Sequence, residues 1–417
     1  MGVLTCANGG IKLTKYWYSM TPAPSPYPPP PNPPARSVAR PGLRLFIDAV
    51  PLLVRSAGVK NYLFHWIAHL RNLLGGEQVR LFPFLSRLPD LDHEGSAAGR
   101  PGTLARQALL YALNHSPAPA GPNPVMDLIS PPADIFHATK LLHPPRRPRL
   151  TATLHDLTCW LLPAFHQPDN VASEKRFAES VWRRAAGLIA VSERTRRDAV
   201  QTLGLDPQSI QVIHPGIAEP FFSVTAETGA AARRKYDLTR PYTLCVGTIE
   251  PRKNLDRLLD AWQALPLSLQ EEFELVLAGP VGWHSAETLA RLQSPAAGVR
   301  YLGYVPEPDL PGLTAGAALF AYPSLYEGFG FPVAQAMAAG VPVITSNVSS
   351  LPEVTGPAAA LVDPQSVSEL RDALGRLLTS PATCAQLAAA GRIRAQRFTW
   401  DNCARQSLDF FTQILGR

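Results

Sequence analysis

From Leu43 onward, short and nearly unbroken apolar runs alternate with stretches whose apolar residues recur at helical spacing. In the first half, LRLFIDA (43–49), VRLFPFL (79–85), DIFHAT (134–139), LTATLHD (150–156), GLIAVS (187–192) and IQVIHPG (210–216) predict strands. An amphipathic helix is expected over 59–74, with further helical patterns over 172–186 and 193–203. After a stretch at 219–240 that reads as a linker, the pattern restarts. YTLCVGT (242–248), FELVLAG (273–279), VRYLGYV (299–305), ALFAYPS (318–324), VPVITSN (341–347) and AAALVD (358–363) predict a second set of strands. Helices are expected there over 254–265, 332–339, 366–378 and 382–397. Runs of Val, Ile, Leu and Phe without polar alternation suit parallel strands covered on both faces. The expected class is therefore α/β, with two doubly wound Rossmann-like domains facing each other across a cleft. Ligands of such sheets bind beyond the carboxyl ends of the strands.

Composition narrows the picture. A chain of 417 residues, 46% hydrophobic and 17% charged, has apolar material for two or three globular domains. No run reaches the roughly 18 consecutive apolar residues of a membrane-spanning helix. The cysteines Cys6, Cys159, Cys245, Cys384 and Cys403 are scattered, with no CxxC pair and no His/Cys cluster. Neither a disulfide framework nor a zinc module is expected, and a reducing, cytoplasmic setting fits. Proline is in excess, at 43 residues, ten of them between Pro22 and Pro41. Proline lacks an N–H and fixes φ, so residues 1–42 read as a disordered Pro-rich tail. A leader ahead of an initiating Met20 explains it better than a ligand for a proline-binding module. Lys12 and Lys15 precede no apolar segment of a signal peptide.

Charge is unevenly placed. Residues 36–222 carry 21 basic against 15 acidic side chains, whereas 223–417 carry 16 against 18. Arg146, Arg147 and Arg149 form one basic cluster; Lys175, Arg176, Arg183 and Arg184 form a second; Arg194, Arg196 and Arg197 form a third. A basic first domain suggests an anionic partner, a membrane surface or a diphosphate lipid, as well as a plain solvated arginine face. No nucleic-acid motif occurs and no aromatics interleave the clusters, so nucleic acid is not an expected partner.

Candidate chemistry falls at strand ends. In VGTIEPRKN a helix is expected to open near Pro251, placing Arg252 and Lys253 in its first turn, where free N–H groups already favour an anion. Two cations there oppose the helix dipole, which points to a bound phosphate. In YPSLYEGFGFP, Glu327 precedes a turn of Gly328, Phe329 and Gly330 whose amides can approach a ligand closely. A carboxylate in that place can accept hydrogen bonds from sugar hydroxyls. In TLHDL, His155 and Asp156 stand at a strand end, His155 as a cleft residue and Asp156 as a cap for the next segment. Gly58, in SAGVKNY, opens a helix. The triplet Asp90-Leu91-Asp92 has the form of a divalent-cation motif but lies in a polar stretch away from any strand end, so no metal site is expected.

VGTIEPRKN, LAGP, YLGYVP, YPSLYEGFGFP and GVPVITSNVSSLPEV, in this order, resemble a GT-B-fold retaining glycosyltransferase of family 4, over about nine-tenths of the chain from Leu43. TLHDL, VSERTRRD and VIHPGI agree. The resemblance implies an acceptor-binding domain at 43–222 and a nucleotide-sugar-binding domain at 240–397. It also implies a last helix, 398–417, crossing back to the first domain. Arg252 and Lys253 would hold the donor diphosphate, and Glu327 would contact the donor sugar. The amides of Gly328, Phe329 and Gly330 would line sugar and phosphate. His155 would sit at the reacting end of the sugar, and Gly58 would let backbone approach the phosphates. One position departs from the family. Its second glutamate, eight residues after the first, is Gln335 here. A glutamine keeps a carbonyl acceptor for ribose hydroxyls but loses the charge that strengthens such bonds.

The implied activity moves a hexose, by style of motif a mannose from GDP-mannose, to a glycan or lipid-linked acceptor in polysaccharide assembly, without cofactor or metal. Cytoplasmic placement with peripheral contact at the inner, anionic membrane surface is expected. Two other readings stand beside it. A nucleotide-sugar epimerase would convert donor without acceptor, and a catalytically silent sugar-nucleotide-binding protein, suggested by Gln335, would bind without turnover.

Overall fold

The structure, a computed structural model, describes residues 42–53, 58–83, 123–293 and 296–416. Most of the Pro-rich stretch and the Asp90-Leu91-Asp92 triplet lie outside the described residues. Among the described residues, twelve strands form two six-stranded sheets in which every pairing is parallel. The first contains β1 (Leu45–Asp48), β2 (Val79–Phe82), β3 (Ile135–Ala138), β4 (Arg149–Leu154), β5 (Gly187–Ala190) and β6 (Ile210–Val212). Its order is β2-β1-β3-β4-β5-β6. The second contains β7 (Tyr242–Val246), β8 (Glu274–Ala278), β9 (Val299–Tyr301), β10 (Leu319–Tyr322), β11 (Val343–Ser346) and β12 (Ala360–Val362). Its order is β12-β11-β10-β7-β8-β9. Every residue of β1, β3, β5, β8, β10 and β11 is buried, which is why these strands read as continuous apolar runs. Strand order reverses between β1 and β3, and again between β7 and β10. Those two switch points are where such sheets open a crevice for ligands.

Three expectations are corrected. The stretch 219–240 is not a bare linker, because the helix Ala226–Lys235 forms there, capped by Thr225, and packs on the helix Leu310–Ala315. Gly229 and Gly316 let the two backbones approach, since a Cβ on Gly229 would lie 3.0 Å from the Gly316 nitrogen. In the run 79–85 the strand ends at Phe82, and Pro83 already lies in a turn. Finally, no α-helix opens at Pro251. Pro251–Lys253 is a single 3-10 turn, Asn254 then adopts a left-handed conformation at φ 61°, and the helix is Leu255–Gln263. Asn254 is pinned there by its side-chain amide, which donates to the carbonyls of Pro323 (2.9 Å) and Pro364 (2.7 Å). Arg252 and Lys253 are thus lifted out of the helix and aimed sideways toward the end of β10.

The last helix, Trp400–Gly416, lies on the first-domain helix Gly58–Leu74, where Trp66 Nε1 donates to Ser407 Oγ at 2.9 Å. The chain enters it past Ile217, whose N–H donates to the Phe398 carbonyl at 2.9 Å. A Cβ on Gly216 would stand 2.2 Å from the backbone nitrogen of Trp400. Backbone cannot rotate away as a side chain can. Gly216→Ala is therefore expected to destabilise the fold by about 1–3 kcal/mol, read as a lowered midpoint in thermal or urea unfolding. No helix among the described residues is long and apolar enough to cross a membrane.

Candidate active site

The switch point of the second sheet gathers the charged motifs. Arg252 and Lys253 follow β7, and Glu327 follows its neighbour β10. Lys253 Nζ bonds Glu327 Oε1 at 2.7 Å and Tyr322 Oη at 2.6 Å. Tyr322 (2.9 Å) and Ser324 (2.7 Å) donate their hydroxyls to the same carboxylate oxygen. Arg252 Nη1 pairs with Glu327 Oε2 at 2.8 Å, and Arg252 Nη2 pairs with Glu250 Oε1 at 2.6 Å. Two carboxylates and two cations therefore form one buried network without net charge. Burial would push the Glu327 carboxyl up, but Arg252 and Lys253 outweigh it and hold the group down to about 2. The same pairing raises Arg252 above its ordinary value although burial opposes it. Glu327 is ionised at any working pH. The stabilisation from its pairing is complete above the ordinary glutamate range, about 4.3. It is lost only as pH falls toward 2.

The loop that carries Glu327 is held from both sides of the cleft. Within its own domain, the Glu327 N–H donates to Ser349 Oγ at 3.0 Å, and Ser350 Oγ donates to the Glu327 carbonyl at 2.9 Å. Gly330, at φ 99°, turns the chain into the helix Phe331–Ala338. Phe329 is buried and packs edge-on against Phe331 and Phe398, with ring centres 5.3 Å away in each case. Gly328 meets the first domain, since a Cβ there would lie 1.8 Å from the His155 carbonyl oxygen. His155 and the glycine turn are thus brought together. The His155 ring stands edge-on to Tyr62, centres 4.9 Å apart. Burial, aided by Lys140 and opposed by Asp156, pushes its imidazole down to about 4, so it is neutral at physiological pH. Asp156 accepts from the Thr158 N–H at 2.9 Å and hydroxyl at 2.6 Å, an ordinary cap.

Gln335 is the only polar side chain of the apolar helix FPVAQAMA, and among the described residues it makes no hydrogen bond. Gly58 opens its helix with no described residue within 4 Å of where a Cβ would stand, and touches none of this network. Among the described residues no group of three His, Cys, Asp or Glu is placed to hold a metal ion. The third basic cluster is largely offset: Arg194 pairs with Asp198, and Arg196 and Arg197 share Glu193.

Two carboxylates escaped the sequence reading. Glu250 is one, although it stands two residues from Arg252. Glu353, in the LPEV segment, is the other. Its Oε1 lies 2.7 Å from His214 Nε2 and accepts the Glu193 N–H at 2.8 Å, while Oε2 accepts the Arg194 N–H at 3.2 Å. These donors belong to the first domain. Burial opposes ionisation of Glu353, and the bonds to His214 and the two amides overcome it, holding the carboxyl below its ordinary value. The signal available in sequence was only an acid after a run of small polar residues.

The halves of the chain match two family models, Glycosyltransferase Family 4 over residues 57–219 and Glycosyl transferases group 1 over 230–394. Over 384 residues the chain is 31% identical to the O-antigen chain mannosyltransferase B of Escherichia coli, covering 88% of this chain and 99% of that protein. The chain belongs to glycosyltransferase family 4. The MMP alpha-(1->4)-mannosyltransferase of Mycolicibacterium hassiacum is 29% identical to this glycosyltransferase over 252 residues, 59% of this chain and 58% of its own. The fold of the enzyme is GT-B. Anabaena HepE, solved with UDP-glucose, superposes with a TM-score of 0.65 at 18% identity, covering 89% of this chain and all of its own. WaaG, a glycosyltransferase involved in lipopolysaccharide biosynthesis, does so at 0.61 and 18%, covering 88% and 99%. The glycosyltransferase transfers a sugar to a glycan acceptor.

Proposed function

We propose that the enzyme transfers mannose from GDP-mannose to a hydroxyl of a glycan or lipid-linked acceptor, with retention at the anomeric carbon and without a metal ion. The paired cations at the β7/β10 switch point carry this reading, supported by the mannosyltransferase relatives. Arg252 and Lys253 sit where a nucleoside diphosphate entering the crevice would place its phosphates, and offset the charge that grows on the leaving diphosphate. Glu327 then faces the sugar, the neutral His155 borders its reacting end, and Gln335 reaches the ribose. Gly328, Phe329 and Gly330 supply backbone amides along the sugar and phosphate, and Gly58 leaves room for backbone to meet the phosphates from the first domain. In the step itself, the bond from the anomeric carbon to the diphosphate oxygen breaks. The acceptor oxygen bonds to that carbon on the same face, and its proton passes to the departing phosphate. No enzyme nucleophile is needed. The exposed Arg146, Arg147 and Arg149 give the acceptor domain a basic face suited to an anionic membrane that presents a lipid-linked acceptor.

The test is consumption of GDP-mannose, UDP-glucose and ADP-glucose with a mannose-terminated acceptor, in excess EDTA. GDP-mannose should be turned over at an undiminished rate, giving an α-linked product. Loss of turnover on chelation, restored by Mn²⁺ or Mg²⁺, would show that Arg252 and Lys253 do not carry the charge alone. Preference for another nucleotide would overturn the donor assignment.

A further inference from the structure

Glu327 is flanked in sequence by two residues that reach across the cleft to a single first-domain helix, Glu193–Leu203. The Tyr326 hydroxyl donates to Asp198 Oδ2. The Gly328 carbonyl accepts from Thr195 Oγ1 at 3.2 Å. Both anchors are themselves fixed. Asp198, 5% exposed, is gripped by Arg194 Nε at 2.9 and 2.8 Å to its two oxygens. The Thr195 hydroxyl accepts from Ser192 Oγ at 3.0 Å, which turns its proton toward Gly328. Arg194 and Thr195 stand four and three residues before Asp198, so each lies beside it on the helix surface turned to the cleft. At the start of the same helix, Glu353 of the second domain takes the Glu193 and Arg194 amides. The second domain alone supplies every partner of the Glu327 side chain, but the residues on either side of it are held by the first.

We propose that the helix Glu193–Leu203 positions Glu327 for the transfer step, Asp198 acting through Tyr326 and Thr195 through Gly328. The second domain holds the carboxylate near its place, and the ties at Tyr326 and Gly328 set its final position, so the acceptor domain completes the donor-sugar site. Donor binding, governed by Arg252, Lys253 and the nucleotide contacts, does not depend on these ties. Turnover does. This rests on reading Glu327 as the residue that faces the donor sugar.

The experiment compares Tyr326→Phe, Asp198→Asn and the double variant with wild type and Glu327→Gln, measuring kcat, donor KM, calorimetric affinity for the free nucleotide, and the unfolding midpoint. Tyr326→Phe removes one oxygen and leaves the packed ring, so it carries the test should Asp198→Asn fold poorly. A misplacement of the order of an ångström can cost about a hundredfold in rate. Each single variant is expected to lower kcat by roughly ten- to a hundredfold while donor KM and nucleotide affinity stay within about twofold of wild type. The double variant should be no slower than the slower single, because both remove the same link. Wild-type kcat in Tyr326→Phe beside an impaired Glu327→Gln overturns the positioning role and leaves the Glu327 reading standing. Independent, multiplying losses in the double variant, or losses that follow the unfolding midpoint, also overturn it. If Glu327→Gln itself turns over like wild type, the reading of Glu327 falls and the positioning role with it.

Discussion

Replacing Glu327 by glutamine is expected to lower kcat by about 10²–10³ without weakening the binding of free nucleotide. The two effects separate because of the way the charges are shared. Arg252 and Lys253 are already neutralised by Glu327, at 2.8 and 2.7 Å, and by Glu250. An entering diphosphate competes with Glu327 for both cations. Glutamine keeps the shape and the hydrogen-bond acceptor but removes that competitor, so nucleotide affinity should hold or rise, by up to about tenfold. The transition state loses the carboxylate as positive charge grows at the anomeric carbon, and interactions realised only there appear in kcat. Glutamine is preferred to alanine, because alanine would also remove the oxygen that Lys253, Tyr322 and Ser324 bond and leave a cavity beside them, whereas Arg252 keeps Glu250 in either variant. Gln335→Ala is the contrast. It should weaken nucleotide and nucleotide sugar alike, by roughly 1 kcal/mol for one neutral hydrogen bond, with little change in kcat. Calorimetric affinities beside initial rates of donor consumption decide between the roles. Wild-type turnover in Glu327→Gln would end the assignment. Loss of nucleotide affinity in Glu327→Gln but not in Gln335→Ala would mean the two roles are exchanged.

The twelve strands of the described residues were legible in the sequence: six are buried at every position and read as apolar runs, and edge strands such as β9 and β12, though partly exposed, fall between helical patterns in the same alternation. The helix Glu193–Leu203 was equally plain, with Ser192 as its cap and Gly204 beyond its end. Boundaries failed where a side chain overrides local preference. Asn254 breaks the helix expected from Pro251 because Pro323 and Pro364, far along the chain, offer carbonyls to its amide. The helix Ala226–Lys235 was hidden because its packing partner, Leu310–Ala315, lies some 80 residues away. The same reason explains what was missed in the site. Glu327, Arg252 and Lys253 were visible as types of residue beside strand ends. That they pair with one another, that Glu250 balances Arg252, and that Tyr326 and Glu353 bond the first domain depend on strand order and on the meeting of two domains. Neither is written in any local window.

Gly328→Ala is expected to cost about a hundredfold in turnover while the second domain remains folded and still binds nucleotide. The added Cβ would stand 1.8 Å from the His155 carbonyl oxygen, 2.9 Å from its carbon and 3.1 Å from Asp156 Cβ. Two of these atoms are backbone, in the turn that follows β4, and β4 is paired on both edges. That wall cannot yield. The Glu327 loop on the other side is fixed by Ser349 and Ser350 and by the network around Lys253. The strain is therefore relieved where the contact is softest, by the domains standing apart at this point. Separation by even an ångström or two removes the Thr195–Gly328 and Tyr326–Asp198 bonds and draws His155 away from the glycine turn, where the proposed reaction would take place. Arg252, Lys253 and Gln335 all belong to the second domain, so nucleotide affinity should fall far less than turnover, by no more than about tenfold, the share carried by the Gly328 amide and by first-domain backbone near Gly58. The readings are kcat, calorimetric nucleotide affinity and the radius of gyration in solution, which should rise in the variant. Wild-type turnover would show that the close approach of Gly328 to His155 is not required in the catalytic state. A loss of nucleotide affinity as large as the loss of rate would place the damage within the second domain instead of at the junction.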